Sequence, residues 1–526
     1  MQTEGTRERE RTFARRAFLR SAAAGTVAGT AAVATGLVPA LLRAAPAGAT
    51  DLSSFVSPDL DLHMLRRATY GLTTGSVKKI KQIGRNAWLD KQLAPDTIDD
   101  TACEQLIASR LPMANWTIAQ AMNNLDSSSW DAMFQLGVAA VARAAWSKRQ
   151  LFEVMVDFWS NHLNVTNPSD SVWSTRPDYD RRVIRAHALG KFSDMLRASA
   201  THPAMMTYLN NAESTKDNPN QNYGRELLEL HSVGVDGGYG ETDMENSTNV
   251  MTGFGIDWDT YEFKYWKYDH FVGPVSVMDW SSQNGSATGG YDVGLAYVDH
   301  LAHHPSTATR IATKLWLRFV SDVPDPAFIA SLAQTYLDND TAIVPVLRKL
   351  LRSGAFRASV GAKVRRPFED LIATIRVLGI QPDTSGIDGL NGLYWMIDDL
   401  ADAPMTWHMP NGFPDVADSW RSAGGAIGRW NMHMSLAAHW WPDTLVLPPL
   451  LDHLLPATLP RTYGSFIQTL ATNLVFSPLG TQQRDAVLGF FGKTATDSLH
   501  RTDEALRWRL PHVVALILDS PYHQTR

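Results

Sequence analysis

A chain of 526 residues with 48 basic and 54 acidic side chains carries a formal charge of −6 and one cysteine, Cys103, which excludes an intrachain disulfide and leaves stability to a large core. The first 49 residues hold seven arginines and three glutamates, so the remainder sets 41 basic against 51 acidic residues, a formal charge of −10. That balance argues against a nucleic acid or an anionic membrane as partner, because both reward clustered Lys and Arg.

In chain order, Ala14-Arg15-Arg16-Ala17-Phe18-Leu19-Arg20 comes first, and its adjacent arginines followed by x-Phe-Leu form the twin-arginine export pattern. The stretch from Ala22 to Leu42 has the length of a membrane span, but three glycines, three threonines and Pro39 deprive it of an anchor's hydrophobicity. Ala47-Gly48-Ala49 then offers the small residues a signal peptidase reads. The expectation is a signal peptide over 1–49, handling by the twin-arginine translocase, and release to the periplasm, cell surface or exterior with no stable membrane insertion afterwards.

Helical periodicity dominates the chain after residue 50. Residues 58–95 predict two short helices around Tyr70-Gly71-Leu72-Thr73-Thr74-Gly75, and 129–163 a long apolar helical region. Residues 181–210 predict a pair whose second member starts at His202-Pro203, and Asn218-Pro219-Asn220 opens a helix running to about Val235. Thr242-Asp243-Met244-Glu245 has capping-box spacing and predicts a helix over 243–253. Tyr261 to Tyr265 alternates with period two, and with the β-rich run Val272 to Met278 it predicts a small hairpin, followed by a loop over 281–292. Helices are expected at 292–303, 305–320, 326–338, 341–353 and 366–379, a loop region at 381–425, and further helices with proline breaks to 522. The fold class is therefore mainly α: one large helical domain over 50–440 with a small β-hairpin, and a C-terminal helical appendage over 441–526 packed on it.

Chemistry is sought where polar groups interrupt apolar helices, since such groups are costly unless paired or used. In the 220–235 helix Glu226 and Glu229 lie three apart and share a face with Asn222, while Arg225 precedes Glu229 by four and can pair with it. His231 falls about 140° away from Glu226 on the helical wheel. In the region Phe152 to His162, Glu153, Asp157 and Asn161 are spaced by four, with His162 near the helix end. Paired carboxylates suit general acid–base work or metal ligation; the bland alternatives are an Arg225–Glu229 bridge and a core helix with a satisfied histidine. His300, His303 and His304 have a spacing a metal can use, but Pro305 points to a helix boundary instead. His270 sits at a loop edge where it can close over a site, and Trp420 belongs to a late group of tryptophans suited to flat apolar faces or to core packing. No nucleophile elbow, H-E-x-x-H, P-loop, CxxC or dinucleotide-binding glycine run is present.

The chain resembles the DUF1800 family of exported bacterial proteins. The matching pieces are His63-Met64-Leu65-Arg66-Arg67-Ala68-Thr69-Tyr70-Gly71, Asp157-Phe158-Trp159-Ser160-Asn161-His162-Leu163, and Asn220-Gln221-Asn222-Tyr223-Gly224-Arg225-Glu226-Leu227-Leu228-Glu229-Leu230-His231. Thr252-Gly253-Phe254, His304-Pro305 and Lys314-Leu315-Trp316 also fit, so the likeness spans about 58–440. The chain departs from the pattern twice: His270-Phe271 where many members carry His-Asp, and Asp418-Ser419-Trp420 where many carry Lys-Gly-Trp. The resemblance implies export and a helical domain, names no substrate, and coincides with the polar stripes found by spacing.

The resulting expectation is a carboxylate/histidine site that brings Asp157, His162, Asn222, Arg225, Glu226, Glu229 and His231 together, with His270 and Trp420 as substrate contacts. The leading reading is a secreted hydrolase or lyase acting on an extracellular polymer such as a polysaccharide, or on a small molecule. The alternatives are an enzyme with a divalent metal or other cofactor loaded before export, its identity open, and a non-enzymatic cell-surface binding or assembly protein.

Overall fold

Helices make up most of the computed structural model, which describes residues 52–526 apart from Ser128. The twin-arginine segment and its cleavage site lie outside the described residues. Helix α1, Leu60–Ala68, is capped by Asp59, whose side chain accepts from the Asp61 and Leu62 amides. The expected 129–163 helix is two, α2 (Asp131–Trp146) and α3 (Gln150–His162). Their break is held by Asp100, whose carboxylate accepts from Ser147 Oγ at 2.7 Å and from the Lys148 amide at 2.6 Å. α4, Pro203–Tyr208, starts at the predicted His202-Pro203 step, with the His202 ring accepting from the Ala204 amide.

The predicted 220–235 helix is shorter and of mixed type. α5 covers Gln221–Glu226 and passes into a π-turn, Leu227–His231. Gly224 allows α5 to press onto α6 (Glu241–Met251): a Cβ there would sit 2.5 Å from Thr248 Oγ1. α6 starts two residues earlier than expected, because the carboxylate that reaches back to the cap is Asp243, accepting from the Gly240 amide at 2.7 Å.

The β structure differs in pairing from the single hairpin expected. β1 (Phe254–Ile256) pairs antiparallel with β2 (Phe263–Tyr265), and β3 (Val275–Val277) pairs antiparallel with β4 (Trp280–Ser282). Each alternating run found a nearer partner: Phe254↔Tyr265 in the first sheet and Val277↔Trp280 in the second.

α7 (Gly290–His303) and α8 (Pro305–Phe319) meet at His304, whose ring accepts from the Ser306 amide, while His303 and His300 pair with Asp340 and Asp279 at 2.8 and 2.9 Å. The boundary reading of this histidine group therefore fits the local structure. α9 (Pro367–Leu378) is buried nearly all round. The expected 381–425 loop contains a helix, Asp388–Asp398, followed by α10 (Ala423–Ala437), α11 (Leu510–Leu518) and α12 (Pro521–Gln524).

Residues 52–526 share one compact unit. Late residues complete the same core as early ones: Phe466, Leu470, Val513 and Ile517 join Met155, Trp159 and Leu371. The Arg365 amide donates to Gln524 O and the Arg526 amide to Lys363 O, each at 2.9 Å, so the final residues lie along the segment entering α9. Among the described residues no helix is long and apolar enough to cross a membrane.

Candidate functional site

The π-turn organises the neighbourhood of the carboxylates. A helix end leaves its last carbonyls without intrahelical partners, and here four of them find one from outside the ladder. Ser232 Oγ donates to Leu227 O at 2.5 Å and the Gly234 amide to Leu228 O at 2.9 Å. Arg310 Nε donates to Leu230 O at 3.2 Å, and His162 Nε2 to His231 O at 3.1 Å. Cationic and imidazole donors at a helix C-terminus also answer its negative dipole end.

α8 supplies the cations. Arg310, Lys314 and Arg318 recur every four residues and so share one face of the helix. Lys314 Nζ donates to His162 Nδ1 at 2.9 Å. Since His231 O can only accept, His162 carries its proton on Nε2 and offers Nδ1 as the acceptor. Burial, then Lys314 and Arg310, hold the His162 imidazolium well below the ordinary histidine range, which keeps the ring neutral. Lys314 itself is pushed down to about 7, by burial first and by Arg310 second, against a smaller opposing pull from Asp415. His231 is buried near the same cations, its ring centroid 6.4 Å from that of Tyr223, and is lowered to about 3; neither of its nitrogens has a hydrogen-bond partner.

Glu226 and Glu229 lie on the outer side of the same turn, both half-buried. Arg225 stands 3.7 Å from Glu229 and 3.6 Å from Glu241, so the predicted i,i+4 pair forms. Glu226 is raised above the usual carboxyl value by burial and then by the Glu229 charge, with Arg225 opposing. Its field reaches the hydroxyls of Tyr208 and Tyr239. Tyr239 is raised by burial and by Glu229, with Arg310 and Arg225 opposing.

The expected site thus divides. Arg225, Glu226 and Glu229 stay together, and His162 meets His231 directly through the latter's backbone carbonyl, with Lys314, a residue quoted in the sequence only as part of a motif, on the other ring nitrogen. His231 lies near enough to Lys314 and Arg310 to feel both charges. Asp157 departs from the expectation: its carboxylate pairs with Arg366 at 2.9 Å and lies 3.9 Å from Arg318, inside a buried ion network with Glu369. The reason is a partner far along the chain, Arg366, while on the helix stripe itself Asn161 Nδ2 donates to Asp157 Oδ1 at 3.2 Å and Glu153 is taken by Arg185 at 2.8 Å. Asn222 is exposed. Trp420 is half-buried against Phe413, donating its indole N–H to Pro414 O at 2.9 Å. His270 is buried, with Nδ1 2.9 Å from Thr252 O and Nε2 2.9 Å from Asn284 Oδ1, so both nitrogens are engaged locally instead of reaching toward Glu226.

His270 does border an open groove of about 620 Å³, shared with Lys216, Asp217, Lys267, Tyr268 and Phe271. Two aromatic rings line it, Tyr268 and Phe271, and Tyr268 is exposed. Lys216 and Asp217 belong to the loop that leads into α5. A separate set of ligand-type side chains, Asp370, His433 and His523, converges beneath α9; sequence reasoning passed over these residues because they are 63 and 90 positions apart.

A family model described as a protein of unknown function, DUF1800, matches residues 63–525. The match runs well past the 58–440 expected from motifs, through α11 and into α12. No curated protein and no solved structure matches the chain.

Proposed function

The chain belongs to the DUF1800 family, and on that premise we propose that it is an exported hydrolase or lyase whose general acid is Glu226, acting on an extracellular polymer, with a polysaccharide first among candidates. The observation that carries this reading is the unlike surroundings of two neighbouring carboxyls. Glu226 is raised by burial and by Glu229, whereas Glu229 has the Arg225 guanidinium 3.7 Å away. Two carboxyl groups whose surroundings differ in this way are suited to opposite proton-transfer roles. Glu226 holds the proton to be delivered to a leaving oxygen. Glu229 serves as the base.

Tyr268 and Phe271 in the groove beside His270 support a sugar-bearing substrate, because flat rings present apolar faces of matching shape. Export rests on Arg15-Arg16 and the small-residue site at Ala47-Gly48-Ala49. The test is release of reducing ends or unsaturated products from a panel of bacterial and plant polysaccharides by the purified chain. Glu226→Gln should lower the rate by about a hundredfold or more, the usual contribution of a positioned acid or base. Wild-type turnover that survives Glu226→Gln unchanged would remove the assignment. One other reading, an enzyme carrying a metal, draws specific support from the convergence of Asp370, His433 and His523.

A further inference from the structure

α9, α10 and α12 each carry one metal-ligating side chain to the same buried point: Asp370, His433 and His523, all at most 3% exposed. Asp370 Oδ1 lies 3.2 Å from His523 Nε2, and Asp370 Oδ2 lies 3.5 Å from His433 Nε2. One donor atom from each of the three falls within 4.8 Å of the others. Close as they are, His433 Nε2 and Asp370 Oδ1 have no hydrogen-bond partner. Buried polar atoms are almost always bonded, so unbonded atoms converging on one point need a shared partner. Zinc–nitrogen bonds of about 2.0–2.1 Å in a tetrahedral shell separate neighbouring donors by roughly 3.4 Å, which the two Asp370–histidine separations of 3.2 and 3.5 Å match.

The surroundings complete the case. His433 Nδ1 lies 2.7 Å from Asp519 Oδ1, the carboxylate–imidazole arrangement that turns the other ring nitrogen toward an ion. Arg429 Nη1 donates to Asp370 Oδ2 at 3.5 Å, and Thr374 Oγ1, one turn beyond Asp370 in α9, is 3.1 Å from His523 Nε2. A narrow cleft lined by Arg66, Val377, Phe476 and Tyr522 also borders His523.

We propose that Asp370, His433 and His523 hold one divalent transition-metal ion, zinc by the two-imidazole, one-carboxylate donor set, and that this ion fastens residues 521–526 to α9 and α10. None of these residues belongs to the Glu226 site, and metal binding is read without turnover, so the two assignments stand or fall separately. The full chain is stripped with dipicolinate, then titrated with Co²⁺ and with Zn²⁺. One equivalent should bind, Co²⁺ should give the intense visible bands of a four- or five-coordinate site, and Zn²⁺ should raise the thermal midpoint. His433→Gln and His523→Gln should each abolish the bands and the shift, while His408→Gln, at an exposed position, should keep both. If a ligand variant fails to fold, the wild-type cobalt spectrum decides alone. A wild type that binds less than a tenth of an equivalent and shows no cobalt bands leaves only a buried Asp519–His433–Asp370 ion chain and overturns the proposal, as would bands retained in both variants.

Discussion

Lys314 should behave as a free amine near neutral pH. A lysine of ordinary pKa 10.5 is neutral in about 0.03% of molecules at pH 7, whereas one held at about 7 is neutral in half of them, a difference of roughly a thousandfold. The cause is enclosure beside Arg310, with His162 kept neutral and serving only as acceptor for Nζ at 2.9 Å. Competitive acetylation with trace acetic anhydride between pH 5 and 11, read by peptide mass spectrometry against a free lysine derivative in the same tube, reports the midpoint whatever the absolute reactivity. Lys314 should titrate near 7; Arg310→Met should move that midpoint up and Asp415→Asn should move it down. For stability the sign is opposite to that of a salt-bridged lysine. The folded value lies below the unfolded one, so the unfolded chain binds more protons between pH 7 and 10.5, and the folded state gains as pH rises through that window. The stability difference between Lys314→Met and wild type should therefore shrink from pH 7 to 10.5. A labelling midpoint above 9, or one indifferent to both charge variants, would refute the account of this cluster.

Three further substitutions probe the frame around the site. Trp159 is fully buried, stacks on Phe192 at 5.4 Å and bonds Ala188 O; Trp159→Ala should cost about 3–5 kcal/mol in urea unfolding, the range for large buried aromatics. Gly412 has φ +70° and an added Cβ would lie 2.0 Å from Asn161 O, so Gly412→Ala should lower the thermal midpoint by several degrees, an effect of more than about 1 kcal/mol. Arg318 is enclosed by Glu369 at 2.7 Å and Asp415 at 3.5 Å. Arg318→Met removes one of the two guanidiniums on Glu369, with Arg526 Nη1 remaining at 2.5 Å, and should cost about 1–3 kcal/mol by denaturant titration.

Local signals in the sequence were readable where the cause is local. Proline at a first helical position marked Pro203 and Pro305, and Arg225 and Glu229 pair because four residues bring them together on any helix. The π-turn was not readable, because it depends on partners 69 and 80 residues away, His162 and Arg310, taking its carbonyls. The strand pairing failed for a related reason: period two says that Phe263 and Tyr265 share a face, not which neighbour accepts their backbone bonds. The helix at 388–398 hid inside a glycine-rich stretch because Asp383, outside it, accepts from the Gly389 and Leu390 amides at 2.8 and 3.2 Å. Asp157 illustrates the limit for function. Its spacing to Asn161 and His162 was correct, yet Arg366, 209 positions later, decides that it serves an ion network.

α8 reaches three neighbourhoods with one rigid rod. Arg310 meets the π-turn, Lys314 meets His162, and Arg318 meets Glu369. Their common four-residue rhythm means that a roll of the rod by one position, about 100°, would unseat all three at once. No intermediate setting keeps one contact while releasing another, so the amine at the middle is only as loose as the two guanidiniums that flank it, and whatever grips either end sets the alignment of the centre.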